Sequence, residues 1–198
     1  AELIETNKTK LLALNGCEDC QLSFVNLSGE NLEEADLVGA DLSNAVLDGA
    51  NLKNAYLSGA NLKNANLTGA NLEGSSLDGA NLENAILDGV NLSFTNLSRA
   101  NLVNAKLDGL NLENANLDGA NLENATLKRA NLKNVTLNGA NLENANLEGA
   151  NLREAELKKA ILINANLKKT YIFGASFGES ILKKSKFNES SSGDDNSE

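Results

Sequence analysis

Leucine occupies every fifth position from Leu22 to Leu167, and the register continues through Ile172, Phe177, Leu182 and Phe187, giving 34 consecutive pentads. A repeat this strict dictates the architecture and has to be read before anything else. A period of five suits neither regular element. On an α-helix each step of five turns the next leucine by about 140°, so the leucines would circle the helix. On a straight strand an odd step sends successive leucines to opposite faces. They share one interior only if the chain turns after every pentad. Four right-angle turns close a square coil of twenty residues, and residues i and i+20 then stack about 4.8 Å apart, as neighbouring strands do. Residues 22–187 make a little over eight such coils, a rod roughly 40 Å long at that spacing.

Two residues before each leucine stands a small residue, usually alanine, as at Ala35, Ala40, Ala45 and Ala50, and the consensus reads A-N-L-x-x. This pattern resembles the pentapeptide-repeat family, whose members form right-handed quadrilateral β-helices. The resemblance covers about 165 of the 198 residues. It implies an all-β fold, a right-handed quadrilateral β-helix with a short N-terminal α-helical cap. It also implies that the leucine and the alanine point inward while the other three residues of each pentad face out.

Several side-chain columns follow from the twenty-residue spacing. Asn51, Asn71, Asn91, Asn111, Asn131 and Asn151 form one series. Asp41 leads a second through Asn61, Asn81, Asn101, Asn121 and Asn141. Each is expected to make an axial ladder of stacked amides. Corner columns alternate between asparagine (Asn44, Asn64, Asn84, Asn104) and glycine (Gly49, Gly69, Gly89, Gly109), the residues that tolerate φ > 0 in tight turns. Arg99 and Arg129 interrupt glycine columns, which predicts a different turn at those two corners. Val90 and Leu110 would stack where alanine is usual, as would Ser75 and Thr95. Both pairs read as packing adjustments, and the stacking of Ser75 and Thr95 lets their hydroxyls satisfy each other.

A solenoid must cover its terminal layers, or the open ladder recruits other chains. Leu3, Ile4, Leu11, Leu12 and Leu14 lie roughly on one helical stripe, and Asn15-Gly16 is a stop signal. The expected divisions are a helical cap over 1–16, the repeat body over 17–187 and a disordered acidic tail over 188–198. The segment LLALNGCEDCQLSFVNLSGENL also resembles the lead-in of cyanobacterial and plant-lumenal pentapeptide-repeat proteins, in which a short helix and a CxxC precede the first pentads. Cys17 takes the leucine phase and Cys20 the alanine phase of the next side, so both should point inward across one corner, close enough to bridge. A structural disulfide, two buried free thiols, and redox or metal chemistry are all open to this pair. A metal would need further Cys or His ligands, and there are none. At the other end Phe177 and Phe187 replace leucine, where a wider ring can close the bore. Ile161, Ile163 and Ile181 fall outward on one side, and Tyr171 and Phe173 on the opposite side. They are a candidate interface for a partner or a second copy, or local packing beneath a folded-back tail.

Function classes narrow by composition. The chain has no histidine, so Ser-His and Cys-His pairs are excluded and no catalytic residue, metal site or cofactor is expected. Its net charge of −10 disfavours direct nucleic-acid binding. No apolar run approaches about 18 residues, so no membrane insertion is expected. The absence of proline leaves every N–H after the first residue available to a ladder. Charge is uneven: residues 1–127 carry net −12 and residues 128–187 carry net +6. The acidic surface includes Asp48, Asp78, Asp88, Asp108 and Asp118.

The expected function is a non-enzymatic structural or protein-interaction solenoid whose partner is a protein, with a homodimer through the C-terminal end as one form. The lead-in resemblance and the CxxC point to a thylakoid lumen or periplasm, with the cytoplasm as alternative. A first residue that is Ala1 and not Met fits removal of a signal peptide or trimming of the chain. An alternative function is an acidic DNA mimic acting on DNA gyrase or another DNA-binding protein, as some family members do. Residues 22–127 carry net −10, one charge per ~2.5 Å of rod at the sheet spacing, against ~1.7 Å for duplex DNA.

Overall fold

The computed structural model describes residues 1–188; the acidic tail expected over 188–198 lies, apart from Asn188, outside the described residues. Parallel bridges join i to i+20 along the chain, from Gly16↔Asp36 to Asn166↔Lys186. The twenty-residue coil is therefore the repeating unit. The sides are four: the first holds Leu22 and every twentieth residue after it, the second Leu27, the third Leu32 and the fourth Leu37. Each side contributes at most a single bridge to each neighbouring coil and, among the described residues, no extended strand. Two of every five residues are spent on a turn, which leaves too little straight backbone for a longer ladder.

The turns explain the closure. In each pentad the N–H two residues beyond the corner's first residue donates back to the leucine carbonyl, as in Ala40 N→Leu37 O (3.1 Å) and Ala60 N→Leu57 O (3.0 Å). The residue before that donor is left-handed at every corner from Asp19 to Lys184, which is what a turn with φ > 0 at its third residue requires. Arg99 (φ 56) and Arg129 (φ 54) adopt the same conformation, so the expectation of a different turn there is wrong. Ladder bonds override the residue's own preference: Arg99 N donates to Asp118 O (2.8 Å) and Arg129 N to Glu148 O (2.9 Å). Each arginine stem also runs over the glycine of the next coil. A Cβ on Gly119 or Gly149 would meet Cγ of Arg99 or Arg129 at 3.2 Å.

The bore is dry and continuous. The central leucines from Leu22 to Leu167 are buried, as are most of the alanines two residues before them. Each such leucine contributes about 1.5–3 kcal/mol by leaving water. This column supplies the core that aromatic side chains supply in an ordinary globule. Ser75 and Thr95 are buried among it, but their hydroxyls do not pair. Ser75 Oγ donates to Leu72 O and Thr95 Oγ1 to Leu92 O, both at 2.7 Å. The carbonyl of a residue's own turn is closer than a hydroxyl one coil away, so the expected mutual bond gives way to two local ones.

The asparagine columns divide their hydrogen bonds. Inter-coil amide bonds form in pieces: Asn51→Asn31 (3.0 Å), Asn61→Asp41 (3.1 Å), Asn131→Asn111 (3.1 Å) and Asn151→Asn131 (3.3 Å). Much more regular is the local bond, in which the side-chain oxygen accepts the N–H two residues on, as at Lys53→Asn51 (3.2 Å) and Glu83→Asn81 (3.0 Å). The asparagine thus fixes the entry to its own turn first and stacks second.

At the N-terminus α1 (Glu2–Leu14) lies over the first coil and ends at Asn15 in the left-handed conformation (φ 51). Leu11 is fully buried and Ile4 packs on the core. Leu3, Leu12 and Leu14 are exposed, so only part of the expected stripe is used. The cap is held by polar bonds instead: Asn7 Nδ2 donates to Gln21 O (2.9 Å) and Asn15 Nδ2 to Glu33 O (2.8 Å). Beneath it Cys17 and Cys20 form a disulfide with Cα atoms 5.3 Å apart, and both side chains are buried.

Candidate interaction surface

The outward carboxylates are distributed over flanks that face apart. Asp48, Asp88 and Asp108 lie on the second side, Asp78 and Asp118 on the fourth. Most are occupied in joining coil to coil. Ser28 Oγ donates to Asp48 (2.9 Å), and Ser58 Oγ donates to Asp78. The backbone N–H groups of Lys128 and Asn138 donate to Asp108 and Asp118, both at 2.8 Å. Glutamates of the third and first sides pair with lysines one coil away: Lys53–Glu73 (3.6 Å), Lys63–Glu83 (3.2 Å) and Lys133–Glu113 (3.5 Å). Exposed pairs of this kind are worth about 0–1 kcal/mol each. The structure therefore spreads the acidic residues over stitched flanks and does not gather the five aspartates into one array.

The C-terminal coil is different in kind. Phe177 and Phe187 come from opposite sides and meet edge to face across the bore, with centroids 6.1 Å apart. The wider rings close it as their positions suggested. The other two residues in the leucine phase, Ile172 and Leu182, are 43% and 37% exposed, because no further described coil covers them. Around them Phe173 is 80%, Tyr171 56% and Ile181 48% exposed. Ile161 and Ile163 are half-buried. Arg153 lies over the Tyr171 ring at 5.2 Å, a contact that orients the ring. The exposed members of the candidate interface lie in the last described coil, although outward aromatics are also exposed elsewhere on the rod, at Phe24, Tyr56 and Phe94. Tyr171 and Phe173 rim the third side, Ile181 rims the first, and Ile172 and Leu182 complete the apolar rim between them. Those two were missed in the sequence because a leucine-phase residue reads as core. Their place in the last coil was the only available signal.

Basic residues run along the last third of the rod. Lys128 and Arg129 line two shallow clefts of ≈ 310 Å³, one shared with Glu148, Gly149 and Lys169, the other with Asp108 and Gly109. Lys183, Lys184 and Lys186 sit in the final coil. Among the described residues no group of three or more His, Cys, Asp or Glu side chains lies close enough to share a metal ion, and no helix is long and apolar enough to cross a membrane.

The family profile described as pentapeptide repeats matches repeatedly, over residues 17–54, 55–93, 65–102, 95–134, 130–168 and 150–188. The chain belongs to the pentapeptide repeat family. Among solved structures it is similar to HetL, a pentapeptide repeat protein involved in heterocyst differentiation regulation from the cyanobacterium Nostoc sp. strain PCC 7120. The two share 31% identity over 88% of this chain and 90% of that one, with a TM-score of 0.53. QnrB1, a plasmid-mediated fluoroquinolone resistance protein, matches with a TM-score of 0.53 and 19% identity over 88% of this chain and 80% of that one, a likeness of fold. A pentapeptide repeat protein of the Arabidopsis thaliana thylakoid lumen matches at 28% identity and a TM-score of 0.32, over 61% of this chain and 66% of that one. No curated protein sequence matches the chain. Family membership makes the rod a right-handed β-helix solenoid with a short N-terminal helix.

Proposed function

We propose that this pentapeptide repeat protein is a non-enzymatic interaction solenoid that docks a partner protein on its C-terminal end. One observation carries the reading. Over most of their length the flanks bond their polar groups between coils, whereas the last described coil leaves Tyr171, Ile172, Phe173, Ile181 and Leu182 in the open around the paired rings of Phe177 and Phe187. An apolar rim on an open ladder end is the kind of surface that strand pairing and apolar contact bury together. A second copy of the chain is one protein that would fit. The absence of histidine removes the commonest general base, and most of the outward aspartates named above are engaged between coils.

Photo-crosslinking from Phe173 and, as a control, from Asp78 tests this. Discrete protein adducts, including a self-adduct, are expected from position 173 and not from position 78. Equal labelling from both positions, or none from 173, overturns it.

The same reading places the protein in an oxidising compartment such as a thylakoid lumen or periplasm. The Cys17–Cys20 disulfide supports that placement, since such bonds persist where glutathione does not reduce them. Alkylation of freshly isolated native protein should find no free thiol. Two labelled thiols would remove the argument.

A further inference from the structure

The ladder is regular except at one place. Between the segment from Asn84 to Val90 and the segment from Val103 to Asn111, five consecutive backbone bonds made at the equivalent positions one coil below and above are missing. Asn84 N, Leu87 N and Gly89 N do not reach Val103, Lys106 and Asp108, and Lys106 N and Asn111 N do not reach Ala85 and Val90. The bridge between Ile86 and Lys106 is missing too, although Asn66↔Ile86 and Lys106↔Thr126 are both present. The bonds on either edge hold, Leu82 N→Asn101 O at 2.9 Å and Leu92 N→Asn111 O at 3.0 Å. Where the bonds are missing, a cleft of ≈ 410 Å³ runs past Ala85, Ile86, Asp88 and Lys106. Ala85 is half-buried although it holds an interior position, and Ile86 is 47% exposed.

The cause lies in one interior column. Val90 and Leu110 stand one above the other in a column whose other members from Ala50 to Ala150 are alanine, and both remain buried. Alanine at this point lets coils close to the sheet spacing; a branched side chain on each of two adjacent coils does not. A single large residue is tolerated. Val135, between Ala115 and Ala155, keeps its ladder bond with Glu156 (2.9 Å), and Leu110 keeps its bond with Asn131 on the alanine side (2.9 Å). Only the Val90–Leu110 contact coincides with an opening. Asp88 and Asp108 add to it, being the one like-charged neighbouring pair in their column, and like charges directly opposite destabilise pairing.

We infer that the rod carries a built-in seam between these two coils: Val90 and Leu110 wedge the second side open, and the seam is where the rod flexes and exposes its backbone. It joins two fully laddered blocks and is independent of the docking end.

Hydrogen exchange resolved by residue tests it. Amides of Asn84, Leu87, Gly89, Lys106 and Asn111 are expected to exchange at least about a hundredfold faster than Asn64, Leu67 and Gly69 one coil below, or Leu107 and Gly109 one coil above. Restoring the consensus with Val90→Ala and Leu110→Ala together should return them to the rate of their neighbours. Equal protection in the unaltered protein, or continued fast exchange in the double variant, overturns the seam. A transplanted wedge gives a second reading. Ala130→Val with Ala150→Leu should deprotect Asn124, Leu127, Arg129, Asn146 and Asn151. A folded variant that keeps them protected removes the wedge as the cause. If the transplanted variant does not fold, the alanine pair alone decides.

Discussion

At the scale of single residues, the protein is governed by two demands on each pentad, a leucine that fits the bore and a corner that accepts φ > 0. Both were legible in the sequence because both recur at a fixed interval. What recurrence cannot show is how much strain the ladder imposes. Arg99 and Arg129 sit left-handed, against their intrinsic preference, because bonds to Asp118 and Glu148 leave no alternative. The corner demand can be isolated at Gly79, whose φ is +67 and around which an added Cβ would meet nothing within 4 Å. Gly79→Ala should therefore cost about 1 kcal/mol through backbone conformation alone, and Gly79→Asn less, measured by chemical denaturation. The bore demand is larger. Leu112, fully buried, should cost about 2–5 kcal/mol as Leu112→Ala. A loss below that of Gly79→Ala would mean that the bore collapses around the gap.

At the scale of elements, the helix and the CxxC act together as a lid. The presence of the helix and its stop at Asn15 were readable, and so was the inward aim of both cysteines. Which apolar residues of α1 would be used was not. The stripe of four leucines and one isoleucine is contacted only through Ile4 and Leu11, because the top of a square coil is small and the helix meets it along one line. Asn7 and Asn15 hold the rest, and nothing in their spacing announced it. The disulfide closes a very short loop, so its entropic contribution is no more than about 2 kcal/mol. Cys17→Leu with Cys20→Ala converts both sites to the repeat's own residues. That variant should fold, melt at or slightly below the oxidised protein, and lose all sensitivity to reductant. If it fails to form the rod, the bridge is required for folding and not merely for the lid. The ladder opening at Val90 and Leu110 was hidden for a related reason. The two residues are twenty apart in sequence, and neither is unusual alone, as Val135 shows. Only their stacking is.

At the scale of the whole molecule, the described coils stack into a rod whose first and last coils differ. The N-terminal end is covered by α1, while the last described coil leaves Tyr171, Ile172, Phe173, Ile181 and Leu182 exposed and carries Lys183, Lys184 and Lys186. The charge division was plain in the sequence. The use of aspartates such as Asp108 and Asp118 as acceptors for the next coil was not, since it depends on which carboxylate reaches which N–H. Everything said about ends, flanks and seam rests on one claim, that twenty residues make one turn and rise by one sheet spacing. Spin-label distances test it directly. Labels placed at Ser23 and, in separate variants, at Glu123, Glu143 or Ile163 all lie in the fourth position of the first side's pentads, immediately after the leucine. Double electron–electron resonance should then give distances that lengthen by about 4.8 Å for each further twenty residues, near 24, 29 and 34 Å. Distances that fail to grow in equal steps of that size would contradict the coil.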